Sequence, residues 1–98
     1  MIKSLTIIFP LYNETERLKY CFDDIEKFNV KKKIKNLEYI FVDDGSTDGT
    51  SDLLVKNDSN INLIRLKSNK GKGYALRQGL RNPKHNRIVI FDGDMEIP

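Results

Sequence analysis

The 98-residue chain has one cysteine, one histidine and three prolines, and no apolar run of membrane-spanning length. A single cysteine, Cys21, rules out an internal disulfide. It falls in an apolar helical pattern and is expected to pack as a small hydrophobe. The lone His85 sits in the turn-like stretch Asn82-Pro83-Lys84-His85-Asn86, where a solvated side chain is the ordinary outcome. Without about 18 consecutive apolar residues there is no candidate bilayer span. The N-terminus runs straight into a strand-like segment and lacks a signal-peptide cleavage pattern, so a cytosolic domain is the default expectation. Neither charge sign dominates: 17 basic and 14 acidic residues leave a formal charge of +3. That balance gives no reason to expect a nucleic-acid partner. The densest basic run, Lys31-Lys32-Lys33 with Lys35, reads as a solvated loop after a helix. Its sharper alternative is peripheral contact with an anionic membrane surface.

What is present is alternation. Leu5–Phe9 is a short apolar strand, and Asn13 with Glu16 has the spacing of a capping box. Leu18, Cys21, Phe22, Ile25 and Phe28 then recur at helical intervals. Leu37–Val42 predicts a second strand. A helix is expected from about Thr50 with Leu53, Leu54 and Val55, followed by a third strand over Ile61–Leu66. Lys70–Leu80 predicts a glycine-rich turn entering a helix, with Tyr74, Ala75 and Leu80 facing inward. Arg87–Phe91 predicts the fourth strand. Strands alternating with helices imply an α/β fold: a Rossmann-like three-layer α/β/α arrangement with a mainly parallel sheet. With strand order 3-2-1-4, the first and fourth strands flank the switch point, where such sheets bind ligands beyond their carboxyl ends.

The polar motifs follow those strand ends. Asp92-Gly93-Asp94 comes after Ile88-Val89-Ile90-Phe91. Two carboxylates there suit a hard cation, Mg²⁺ or Mn²⁺, which keeps waters and substrate phosphates in its shell. Glu96 can add a third oxygen, while the bland alternative is a solvated acidic turn. Asp43-Asp44-Gly45-Ser46 needs a tight turn, with Gly45 suited to positive φ. An aspartate at that strand end can accept from a base N–H or a ribose hydroxyl. Equally, the segment can be turn chemistry with a helix cap from Ser46, Thr47 or Asp48. Lys70-Gly71-Lys72-Gly73 lets backbone approach an anion, but it fits neither the Rossmann fingerprint nor a Walker loop. Arg77, one helical turn beyond Gly73, either reaches a phosphate or faces water.

Taken in order, Phe9-Pro10-Leu11-Tyr12-Asn13-Glu14, Val42-Asp43-Asp44-Gly45-Ser46-Thr47-Asp48-Gly49-Thr50, Asn69-Lys70-Gly71-Lys72-Gly73-Tyr74-Ala75 and Phe91-Asp92-Gly93-Asp94 resemble the family 2 glycosyltransferases of the GT-A fold. The third segment is most similar to the polyprenyl- or dolichyl-phosphate sugar synthases. The resemblance covers nearly the whole chain. It implies that residues 1–98 are the nucleotide-sugar-binding part of such a domain, truncated after Asp-x-Asp. It further implies that Pro10, Tyr12 and Glu14 line the base and ribose pocket. Asp44 would bond the base, Asp43 would support the turn, and Gly71 and Lys72 would border the nucleoside. Asp92 would stand near ribose or metal, and Asp94 would ligate Mg²⁺ or Mn²⁺ on the diphosphate, with Glu96 where close relatives place a glutamine ligand.

The implied reaction is inverting sugar transfer from a nucleoside-diphosphate sugar to a polyprenyl phosphate or a saccharide. In the family the general base is an aspartate well downstream of Asp-x-Asp. The 98 residues alone are therefore expected to bind donor without turning over. The expected place is cytoplasmic, with the inner face of a membrane as its sharper form, and an uncovered sheet edge would favour self-association. Three other readings remain at this point. A haloacid-dehalogenase-like phosphatase also carries Asp-x-Asp after an apolar strand, but there the motif opens the fold. A receiver-like Mg²⁺-binding regulatory module needs a further strand with a lysine. A nucleotide-sensing or structural fragment would keep the fold without the activity.

Overall fold

The computed structural model describes residues 4–13, 15, 16, 18, 35–57 and 62–91, with 55–57 described by backbone alone. Thr15, Glu16 and Leu18 are helical, and four strands and two further helices have their bounds within the described residues. In order they are β1 (Ser4–Leu11), β2 (Asn36–Asp43), α1 (Thr50–Asn57), β3 (Asn62–Arg65), α2 (Lys72–Gly79) and β4 (Ile88–Ile90). The strands form one sheet in the order β3-β2-β1-β4. All three pairings are parallel: Ser4–Leu11 lies in register with Asn36–Asp43, Ile40–Asp43 with Asn62–Arg65, and Thr6–Ile8 with Ile88–Ile90. The chain steps outward from β1 to β3, then crosses back to the far side of β1. That reversal puts the switch point between β1 and β4.

Period-2 alternation divides the core in two. Leu5, Ile7, Phe9 and Phe41 fill one face together with Leu18, Leu54 of α1 and Phe91. The Phe9 ring stacks on Phe41 with centroids 4.4 Å apart and meets Phe91 at 5.2 Å. Ile8, Ile40 and Val42 fill the other face under Ala75 of α2. A Cβ on Gly79 would stand 2.8 Å from Ile8 Cγ2 and 3.2 Å from Val42 Cγ2, so the missing side chain lets α2 ride close to the sheet. One polar pair interrupts this second face. Thr6 Oγ1 donates to Glu38 Oε1 at 2.8 Å, and the Lys84 N–H donates to the same oxygen at 2.8 Å. The buried carboxylate thereby anchors the loop before β4 to the amino-terminal half of the sheet.

The expected strand order and the helices on both faces are observed. Two expectations about α2 are corrected. Tyr74 and Leu80, taken as inner residues, are 38% and 42% exposed. The buried stripe is Ala75 and Gly79, four residues apart. Tyr74 is displaced from it by about 100° of helical rotation, and Leu80 is the C-cap, beyond the last helical turn. Asn13 takes φ +52, and its Oδ1 accepts from the Thr47 N–H of a neighbouring loop; the helix start it was expected to cap includes residues outside the described ones. Cys21, Phe22, Ile25, Phe28 and Lys31–Lys33 lie outside the described residues. Among the described residues, no helix is long and apolar enough to cross a membrane.

Candidate nucleotide-binding edge

Three loops meet at the carboxyl edge of the sheet. The β1–β2 ladder is extended by one bond, from the Asp44 N–H to the Leu11 carbonyl at 2.8 Å. Beyond that point the chain ends of β1, β2 and β3 are held together by side chains.

Asp43 and Asp44 are both buried, at 2% and 4% exposure, and divide the work between them. Asp43 closes its own turn by accepting from the Ser46 N–H at 2.9 Å and from the Ser51 hydroxyl of α1. This is the supporting role expected of it. Asp44 reaches outward instead, accepting from the Lys70 N–H at 2.7 Å and the Gly71 N–H at 2.9 Å. One carboxylate therefore ties the loop after β3 to the end of β2. Gly45 makes the approach feasible: it has φ +74, and a Cβ there would meet the Ser68 carbonyl carbon at 2.4 Å. The Leu66 N–H, donating to the Asp43 carbonyl at 2.9 Å, completes the junction.

The loop after β1 is tied to the same turn. The Asn13 N–H donates to Ser46 Oγ at 2.8 Å, and Asn13 Oδ1 accepts from the Thr47 N–H at 2.9 Å. Thr15 adds its N–H and hydroxyl to Asp48 Oδ2, at 3.4 and 3.2 Å. Asp48 Oδ1 also accepts from the Thr50 N–H at 3.1 Å, capping the first turn of α1. Desolvation works to raise the Asp48 pKa. Hydrogen bonds from Thr50 and Thr15 outweigh it and hold the carboxyl below its ordinary value of 3.8. A carboxylate with a lowered folded-state pKa stabilises the fold above 3.8 and loses that contribution as pH falls through the lowered value. Asp48→Asn is therefore expected to flatten the acid limb of stability. Denaturation midpoints at pH 7 and pH 3 should fall less for the variant than for the wild type. An equal fall in both would remove Asp48 from the acid response.

The structure thus brings Pro10, Tyr12, Asp43, Asp44 and Gly71 to one edge, with Lys72 opening α2 beside them. Pro10 is half-buried, whereas Tyr12 and Lys72 are exposed. The Phe91 N–H donates to the Ile8 carbonyl at 2.9 Å, which brings the end of β4 alongside the end of β1. Glu14, Asp92, Asp94 and Glu96 lie outside the described residues. Among the described residues, no three histidine, cysteine or acidic side chains are grouped to hold a metal.

Sequence reasoning missed a cleft of about 480 Å³ on the α1 side of the turn, lined by Asp43, Ser46, Ser51, Arg65 and Lys67 among others. Among the described residues, Asp43 is the one expected nucleotide residue in its wall. Arg65 pairs with Asp52 at 3.5 Å, but both side chains are exposed, so the pair contributes little. Arg77 is exposed and His85 half-buried in its loop.

The family model described as glycosyl transferase family 2 matches residues 6–98. The chain belongs to glycosyl transferase family 2. The phosphatase and receiver readings are set aside by that match. This family 2 chain is 37% identical over 99 residues to a dolichyl-phosphate beta-glucosyltransferase of Dictyostelium discoideum, covering 92% of the chain and 30% of that relative. It is 34% identical to the human dolichyl-phosphate beta-glucosyltransferase, covering 94% and 31%. A poly-beta-1,6-N-acetyl-D-glucosamine synthase of Staphylococcus aureus is 27% identical, with 95% and 22% covered. The fold is similar to that of a Pyrobaculum calidifontis mannosyltransferase in complex with GDP-Man and Mn²⁺. The TM-score there is 0.70 and the identity 29%, over 90% of this chain and 26% of the other. The chain therefore spans about a third or less of the lengths of these relatives. The all-parallel sheet in order 3-2-1-4 is that of the amino-terminal half of a GT-A domain.

Proposed function

We propose that these residues bind the nucleoside-diphosphate part of a sugar donor for an inverting, metal-dependent glycosyltransferase. The observation that carries the proposal is the Asp44 junction. One buried carboxylate joins the ends of β2 and β3 next to the switch point, where open parallel sheets take their ligands. Tyr12 and Pro10 border the base and ribose on the β1 side, Glu14 is assigned to the same pocket, and Gly71 and Lys72 border them on the other. Asp44 accepts two N–H groups, and a carboxylate has about four lone-pair sites. Capacity remains for a base N–H.

Asp92, Asp94 and Glu96 supply the oxygen donors for Mn²⁺ or Mg²⁺, with Asp92 near the ribose or the metal. When bound, the cation offsets charge on the leaving diphosphate. Mn²⁺ is the first cation to test, because the mannosyltransferase of similar fold holds it with GDP-Man. The dolichyl-phosphate relatives favour a polyprenyl phosphate acceptor over a saccharide. A lipid acceptor would place the reaction at the inner face of a membrane.

Titration of the chain with UDP, GDP and CDP, each with and without Mn²⁺, followed by amide shifts, tests the reading. One nucleotide should bind in a metal-dependent way and move the segments around Asp44 and Asp94. Binding to none of them, or binding indifferent to metal, would overturn it.

A further inference from the structure

The geometry points to Asn13 as a positioning residue that sets Tyr12 against the Asp44 turn. This rests on the nucleotide-binding reading and adds to it a residue for which the motif resemblance implied no role. The regular β1–β2 ladder ends at Leu11 and Asp43, with the Asp44-to-Leu11 bond one step beyond. Tyr12 is the first residue past that ladder, and its side chain is 44% exposed. Asn13 then closes a two-way bridge to the turn: its N–H donates to Ser46 Oγ, and its Oδ1 accepts from the Thr47 N–H. The backbone of Tyr12 is thereby held on both sides, by the sheet before it and by the bridge after it.

The bridge needs a left-handed residue at this point, φ +52. Asparagine, like aspartate, combines tolerance of that conformation with a short acceptor. Thr15 repeats the link one step on, through Asp48. Because the same turn carries Asp44, which holds Lys70 and Gly71, the three loops form one connected series. Asn13 sits where that series takes in the β1 side. Its effect on a nucleotide is exerted through Tyr12 and the turn.

Three variants separate conformation from hydrogen bonding. Asn13→Asp keeps the acceptor and the tolerance of positive φ. Asn13→Gly keeps the conformation and loses the acceptor, and Asn13→Ala loses both. Two readouts apply to each: exchange of the Thr47 amide with solvent deuterium, and affinity for whichever of UDP, GDP or CDP binds with Mn²⁺. Asn13→Gly should weaken nucleotide binding and speed Thr47 exchange about five- to tenfold each, the size of one net hydrogen bond. The sheet amides should keep their wild-type protection. Asn13→Asp should stay within about twofold of wild type on both readouts, because its carboxylate can accept the same N–H.

Wild-type affinity in Asn13→Gly, or an aspartate variant as weak as the glycine one, would overturn the assignment. Should Asn13→Ala fail to fold, the Gly and Asp variants decide. If the wild type binds no nucleotide, the donor-binding reading fails, and so does the positioning role built on it. The exchange arm still reports separately on the bridge: unchanged Thr47 exchange in Asn13→Gly shows that no such tie exists.

Discussion

Gly45→Ala is expected to destabilise the chain by about 2–5 kcal/mol, the sum of left-handed strain and overpacking. Position 45 has φ +74, where a residue with a Cβ is disfavoured by about 1–2 kcal/mol. The space is closed as well. The added Cβ would lie 2.4 Å from the Ser68 carbonyl carbon, 2.5 Å from the Asn69 nitrogen and 2.8 Å from the Ser68 Cα. All three are backbone atoms, so relief by a rotamer change is not available, and the whole loop after β3 must retreat. That retreat pulls Lys70 and Gly71 away from Asp44, so the cost spreads to the site. Small domains have about 5–15 kcal/mol in total, which makes the loss a large fraction of stability. Gly49 is the internal control: its φ is +89, but no atom lies within 4 Å of an added Cβ. Gly49→Ala should show the conformational part alone, about 1–2 kcal/mol. Denaturant midpoints of the two variants measure the difference. Equal losses would refute the close-approach account.

Asp44→Ala is expected to lose about 2–4 kcal/mol of stability, from two charge-assisted bonds less the gain of no longer burying a charge. It should also lose more than tenfold in nucleotide affinity, since about 1.4 kcal/mol corresponds to a factor of ten. The variant leaves the Lys70 and Gly71 N–H groups without their acceptor at a part-buried junction. Asp44→Asn is a sharper probe. Its amide keeps one acceptor oxygen, but the NH₂ then faces one of the two N–H donors. It should fold and still bind nucleotide poorly. Chemical denaturation and the metal-dependent nucleotide titration read the two effects separately. Full stability in Asp44→Ala would show that the carboxylate does not hold the loop.

The two variants mark where reading the chain by its residues succeeded and where it stopped. Gly45 was readable as a residue for positive φ because an Asp-Asp-Gly-Ser turn after an apolar strand demands one. That Ser68 and Asn69 press against it was not readable, because the contact joins segments more than 20 residues apart. Asp43 closes its own turn, a local interaction three residues long. Asp44 was read as a base contact, while its hold on Lys70 and Gly71 across 26 residues went unseen. The inner stripe of α2 was misjudged for a related reason. Tyr74 and Leu80 are larger and more apolar than Gly79, yet the distance between helix and sheet leaves room only for Ala75 and Gly79. Asn13 illustrates the ambiguity of a capping pattern. Asn-x-x-Glu fits a helix start, and the same side chain fits a bridge to a turn that only folding brings near.

By itself the amino-acid sequence indicated a layered, mainly parallel sheet and, through its four ordered motifs, the family. Apolar strands, helical spacing and four ordered motifs are local patterns, and the order of motifs along the chain survives without coordinates. Tertiary structure decided which polar groups meet at the carboxyl edge: Asp44 with Lys70 and Gly71, Asn13 with Ser46 and Thr47, Thr15 with Asp48. The physical reason is range. Hydrophobic periodicity is set by neighbours one to four residues apart, whereas these hydrogen bonds need loops from different strands to arrive within about 3 Å of one another. Only the packed sheet supplies that alignment.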